Sequence, residues 1–106
     1  MTAVVASREY TLERNDERAT IMVQIGMPAI RPDAPWVWYC PFSIHQEGSS
    51  KQLTADGADS LQALMMALSA LDAILQYRQR GGKLQMLDGT EATGIGLRSV
   101  DGPPAS

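Results

Sequence analysis

Cys40 and His45, each the single residue of its type in the chain, are the pair from which a thiol nucleophile and its base would be made. Such a dyad needs the two side chains within hydrogen-bond reach. The run around them, WVWYCPFSI, alternates like a strand, and an odd separation along a strand puts the pair on opposite faces, about 16 Å apart. No dyad is expected. Cys40 is in phase with Trp38 and Phe42, which makes it a buried structural thiol, whereas His45 faces away from the core as a surface residue. Ser43 shares a face with His45, and Asp33 or Glu47 would be the acid of a triad, but no sharp nucleophile turn surrounds Ser43. A zinc site would need further His or Cys ligands. Asp56 and Asp59 read as helix caps rather than an acid/base pair. Gly94-Ile95-Gly96 neither follows a full strand nor opens a helix, so it is no phosphate loop. Catalytic, metal-ligating and cofactor-binding residues are therefore all expected to be absent.

The chain has 106 residues, one domain's worth, with 44% hydrophobic and 20% charged residues, the composition of an ordinary globule. A net charge of -3 and a pI near 4.9 argue against a nucleic-acid or anionic-membrane surface. One cysteine permits no internal disulfide. The start, MTAVVASREY, lacks the regions of a secretory signal. The apolar run of the helix described below is interrupted by Gln62, Ser69 and Asp72 and falls short of a membrane span. A cytoplasmic location is expected.

The elements that would carry these residues follow from periodicity. Residues 4–14 alternate, with Val4, Ala6, Tyr10 and Leu12 against Ser7, Glu9, Thr11 and Glu13, and Asn15-Asp16 turns the chain into a second strand at 18–27. Pro28, Pro32 and Pro35 make PAIRPDAP a stiff connecting loop that cannot feed a ladder. It could present Arg31 and Asp33 to a ligand. WVWYCPFSI is the clearest strand, its Trp36, Trp38, Cys40, Phe42 and Ile44 facing inward, with Pro41 implying an edge position or a bulge. KQLTA is a short strand, and KLQML after the helix is the last one. The Gly-rich remainder, with Ile95, Leu97 and Val100 to bury, is either loosely docked or folds over the helix flank.

DSLQALMMALSALDAILQYRQR is the one long segment of helical period. Asp59 is placed as N-cap with Gln62 completing a capping-box variant; Arg78, Arg80 and Gly81-Gly82 are stop signals. At about 100° per residue, Leu61, Leu64, Leu68, Leu71 and Leu75 form one stripe, the expected sheet-facing core. A second set, Ala63, Met66, Ala70, Ala73 and Tyr77, widens the apolar arc to roughly 220°, about twice what one core requires. That second set is the expected interface, covered by a second copy of the same helix in a homodimer or by the chain's own tail.

The aromatic strand with Trp38, Cys40, Pro41, Phe42 and Ile44, together with Gly57, Asp59, Ser60, Gln62, Ala63 and Leu64 at the helix start, resembles a family of short bacterial proteins known as a domain of unknown function, 6968 type. The resemblance covers most of the chain. It implies a small antiparallel sheet with one long helix and a bacterial, intracellular setting, and it brings no activity and no catalytic residue.

The expected architecture is α+β: an antiparallel meander of about four or five strands with one long helix on one face, in the order β-β-β-β-α-β. A single domain is expected over 1–100, with a tail at 101–106. The expected function is a non-enzymatic, homodimeric protein-binding module, immunity- or antitoxin-like in its most concrete form. The alternative is a small-ligand-binding domain, its pocket at the sheet-helix or dimer seam where Tyr77, Met66 and the proline loop would meet.

Overall fold

The computed structural model describes residues 3–96; the expected burial of Leu97 and Val100, the domain boundary at 100 and the tail 101–106 lie outside the described residues. Strand β1 (Val4–Arg14) turns through Asn15 and Asp16 into β2 (Glu17–Gly26), and both turn residues have positive φ, 53° and 66°. Asn and Asp tolerate that region, and two such residues match the right-handed twist of the flanking strands. The hairpin pairs Tyr10 with Ile21 and Leu12 with Ala19, which sets Tyr10, Leu12, Ile21, Val23 and Ile25 on the buried face. Val4 and Ala6 escape it: the register shifts between them, and Val4 is exposed.

The proline segment, expected to be a loop, contains a short strand. β3 (Ala29–Arg31) sits between Pro28 and Pro32 and pairs with the start of β4 (Ala34–Gln46). Proline's fixed φ is compatible with extended chain, and a missing donor costs a ladder bond only where a partner strand lies. β3 has β4 on one side alone.

β4 is the axis of the sheet. One side pairs with β2 through Phe42–Gln46 and with β3 through Ala34, Trp38 and Tyr39; the other pairs with β5 (Ser49–Gly57) from Trp38 to Gln46. On the β2/β3 side Cys40 and Pro41 have no ladder partner, so the handover leaves room for a residue without an N–H. β5 is longer than the short strand expected from KQLTA. After α1 (Ser60–Arg78), β6 (Lys83–Met86) returns beside β1, pairing Leu84 with Leu12, and β7 (Glu91–Ala92) closes the edge. The turn between them is held by Asp88, whose Oδ1 accepts the Thr90 N–H at 2.9 Å.

The result is an α+β fold, one antiparallel, curled sheet with one helix on one face, as expected. Among the described residues it has seven strands rather than four or five. The core lies between sheet and helix: Tyr10, Ile21, Phe42 and Ile44 from the strands meet Ala67, Leu71 and Leu75 of α1, with Leu84 closing the β6 side. No helix among the described residues is long and apolar enough to cross a membrane.

Candidate interaction surface

α1 begins as its sequence requires. Asp59 is the N-cap, its Oδ1 accepting the Gln62 N–H at 2.7 Å, and Gln62 Oε1 accepts the Ala58 N–H at 2.6 Å. The second bond is the capping-box return displaced by one residue. Just upstream, Gly57 lies flush against the first turn; a Cβ there would stand 2.8 Å from the Gln62 carbonyl carbon and 2.9 Å from Ala63 Cα. Side-chain volume is absent at the point where strand and helix meet, so the helix approaches β5 closely. The end is equally determined: Gly81 has φ +73°, and Arg14 Nη2 donates to the Arg78 carbonyl, one of the orphan acceptors of the last turn.

This close approach decides which face is buried. Ala63, Ala67, Leu71 and Leu75 form the row against the sheet. Relative to the expected leucine stripe the helix is turned by roughly 50°, half a residue step. Leu61, expected inward, is 63% exposed, and Ala63, expected on the interface flank, is fully buried. Ala63 therefore leaves the set of interface residues: its small side chain is what brings α1 onto the sheet. Leu64 and Leu68 are half-buried shoulders.

One flank of α1 is covered by the chain itself. Asp72 Oδ1 accepts the Ile95 N–H at 2.7 Å, Gln79 Oε1 accepts the Gly94 N–H at 3.2 Å, the Tyr10 hydroxyl donates to the Gly94 carbonyl at 3.3 Å, and Arg8 Nη1 donates to the Ile95 carbonyl at 3.1 Å. Ile95 thereby packs against the core and lines a small cavity with Leu68, Leu71, Val23 and Ile25. The segment after β7 is thus a docked strap, but it lies on the Leu68–Asp72 side. On the opposite flank Met66 (50%), Ala73 and Tyr77 (69%) are exposed, and Ala70 is half-buried against the core.

A second exposed apolar group lies where β4 outruns the body of the sheet. Trp36, expected to face the core, is 75% exposed. Its phase is that of Trp38, but β5 ends at Gly57 opposite Trp38, and beyond that rung the described residues pair with β4 through β3 alone, at Ala34. Ile30, opposite Trp38 in the register, and Met27 are exposed at the same end. Arg31 is committed to the fold: its guanidinium donates to Asp56 Oδ1 at 2.6 and 3.0 Å and stacks over Tyr39 at 5.0 Å. Asp56 is therefore an ion-pair partner rather than a second cap.

The residues weighed above for chemistry form neither the dyad nor the triad. Ser43 Oγ lies 3.0 Å from His45 Nε2, and both meet the amide oxygen of Gln24, at 3.4 and 3.3 Å. Ser43 is buried and the third member is an amide, so the cluster has neither an accessible nucleophile nor the carboxylate that orients a catalytic base. Glu47 is engaged elsewhere, accepting the Thr20 N–H at 3.2 Å. Cys40 is fully buried, with Sγ 3.5 Å from the Gly26 carbonyl, and burial pushes its thiol above the ordinary value. Among the described residues no group of His, Cys, Asp and Glu could hold a metal ion.

The model of the family described as "Domain of unknown function (DUF6968)" matches residues 6–97 of the chain. Neither the curated proteins nor the solved structures give a match to it.

Proposed function

We propose, from the premise that the chain belongs to the DUF6968 family of domains of unknown function, that it is a non-enzymatic protein-binding module whose first partner is a second copy of itself. The observation that supports this reading is the exposed flank of α1. Along it the residues run large, small, small, large: Met66, Ala70, Ala73, Tyr77. That order is a palindrome, so an antiparallel second copy of α1, related by a two-fold axis midway along the row, sets Met66 against Tyr77 and Ala70 against Ala73. Isologous pairing of this kind is the commonest form of homo-oligomer, and small residues at its centre allow a short interaxial distance. The exposed Trp36, Ile30 and Met27 then form the surface that meets another protein, tryptophan being the side chain most enriched at interface hot spots. Neutralisation of a protein partner, in the manner of an immunity or antitoxin protein, is the most concrete version; it rests on analogy of build and no single residue carries it.

Against a small-ligand domain with an apolar pocket stands the cavity at the sheet-helix seam, between Leu68, Leu71, Ile95 and the strands, whose volume of about 120 Å³ is well under the roughly 300 Å³ at which ligand pockets begin. The larger groove at the C-terminal end of α1, about 360 Å³, is lined by Arg14, Arg78 and Arg80 and does not suit an apolar ligand. Met66 and Tyr77 are also some 16 Å apart along the helix, so they do not converge with the proline segment.

The test is light scattering on the wild type and on Ala73→Glu, an exposed site where the fold is retained. The wild type is expected to have twice the mass of the variant, with identical circular dichroism. A monomeric wild type overturns the pairing.

A further inference from the structure

Arg14, Arg78 and Arg80 line one groove of about 360 Å³ with Leu12, Gln46 and Tyr77, in a chain whose net charge is -3. The ion pairs among the described residues are Arg18–Glu13 and Arg31–Asp56, and neither draws on these arginines. We propose that this groove, at the C-terminal end of α1, is a binding site for a phosphoryl dianion.

A helix C-terminus favours cations, which accounts for part of the cluster. That requirement is met by a single contact, Arg14 Nη2 to the Arg78 carbonyl, and a guanidinium has more donors than one carbonyl can use. Arg14 Nε is buried without a partner in the same structure. The other two arginines are oriented by neutral groups that leave their charge available. Arg78 Nη1 donates to Gln46 Oε1 at 2.9 Å, and the Arg80 guanidinium lies 5.3 Å from the Tyr77 ring centroid. Side chains held in this way lose less entropy on gripping a ligand.

The arrangement also bears on which anion would fit. One bidentate guanidinium already takes both oxygens of a carboxylate. Here three guanidinium groups, from the end of β1, the last turn of α1 and the residue two beyond it, line one groove, a number that suits the three free oxygens of a phosphoryl group. Glu17, opposite Arg14 in the hairpin register, and Glu47 line the adjoining groove without pairing to Arg14. They lower the affinity for anions and leave the three guanidinium groups unneutralised. The groove shares Tyr77 with the proposed pairing row, while its three arginines and Gln46 lie outside that row.

The experiment is a titration of the full chain with inorganic phosphate at constant ionic strength, followed by thermal shift and by heteronuclear NMR of the arginine side chains. Saturable stabilisation is expected with phosphate and not with chloride. Arg78→Gln and Arg80→Gln, neither of which removes the Arg14 contact, should each weaken binding on the order of tenfold. The monomeric Ala73→Glu protein should bind as the wild type does. A phosphoserine peptide binding more tightly than inorganic phosphate assigns the group to a modified protein, and equal or weaker binding assigns it to a free anion. A response to chloride equal to that to phosphate, or unchanged affinity in both glutamine variants, overturns the proposal.

Discussion

The Asp72 carboxylate accepts the backbone N–H of Ile95 at 2.7 Å, tying the middle of α1 to the strap that follows β7. The bond depends on Gly94, whose φ of +70° and lack of a side chain let the strap lie against Asp72; a Cβ there would stand 3.0 Å from Asp72 Cγ. One carboxylate thus fixes which flank of the helix the strap covers; among the described residues the opposite flank has no such cover.

Asp72→Ala should cost about 1–3 kcal/mol, because it removes a charge-assisted bond and leaves the Ile95 N–H unpaired. Hydrogen exchange at Ile95 should accelerate, with the β1–β2 ladder protected as before. Protection at Ile95 equal to that of the wild type would show that Arg8, Tyr10 and Gln79 hold the strap without Asp72.

Gly57→Ala tests the close approach of β5 and α1. The new methyl meets backbone of the first helical turn rather than a side chain that can move aside, so the helix must lift or slide. A loss of roughly 1–3 kcal/mol is expected from overpacking, read as a lower denaturant midpoint. A neutral result would mean that the first turn is not seated as described.

Much of this was legible in the chain. The alternation of Tyr10 and Leu12, of Ile21, Val23 and Ile25, and of Cys40, Phe42 and Ile44 is enforced by a sheet with one buried face, so period and burial agree. The Asp59 cap and the Gly81 stop are local and were equally readable. What failed depends on distant parts. Trp36 has the right phase on a strand whose neighbour has already ended, and no local pattern records where β5 stops. Ala63 replaces Leu61 on the buried face because Gly57 draws the helix in, a contact between two elements rather than a property of the helix. The short β3 is hidden by its flanking prolines, which read as breakers although an edge strand needs no donors on its outer side. At the candidate site, Met66, Ala73 and Tyr77 were identifiable from the width of the apolar arc, whereas the arginine groove is assembled from β1, β4 and α1 and has no signature in any one of them.

Cys40 gives the pH dependence. Burial raises its thiol pKa in the folded protein, so its contribution is fully present below the unfolded value, about 8.5, and declines as pH rises through the folded one, since the unfolded chain ionises first. Urea midpoints measured from neutral to alkaline pH should fall more steeply for wild type than for Cys40→Ala. Thiol labelling at mildly alkaline pH should be slow and should track global unfolding. Rapid labelling of the native protein would contradict the burial of Sγ against the Gly26 carbonyl.

Trp36 and Trp38 separate the cost of folding from the cost of binding. They share a face of β4, yet Trp36 is exposed while Trp38 packs partly against the core opposite Gly57. Trp38→Ala should destabilise the fold by about 2–4 kcal/mol, toward the lower end of truncations in a full core because the side chain is half-buried. Trp36→Ala should stay within about 0.5 kcal/mol of wild type, as surface substitutions do. A bulky aromatic that contributes nothing to stability and stands in water is an expense the fold does not require, and hot-spot tryptophans fit that description. Pull-downs with wild type and Trp36→Ala at matched stability should therefore differ in the proteins they retain. An unchanged set of retained proteins would remove the β3–β4 end from the interaction surface and leave the helix flank alone.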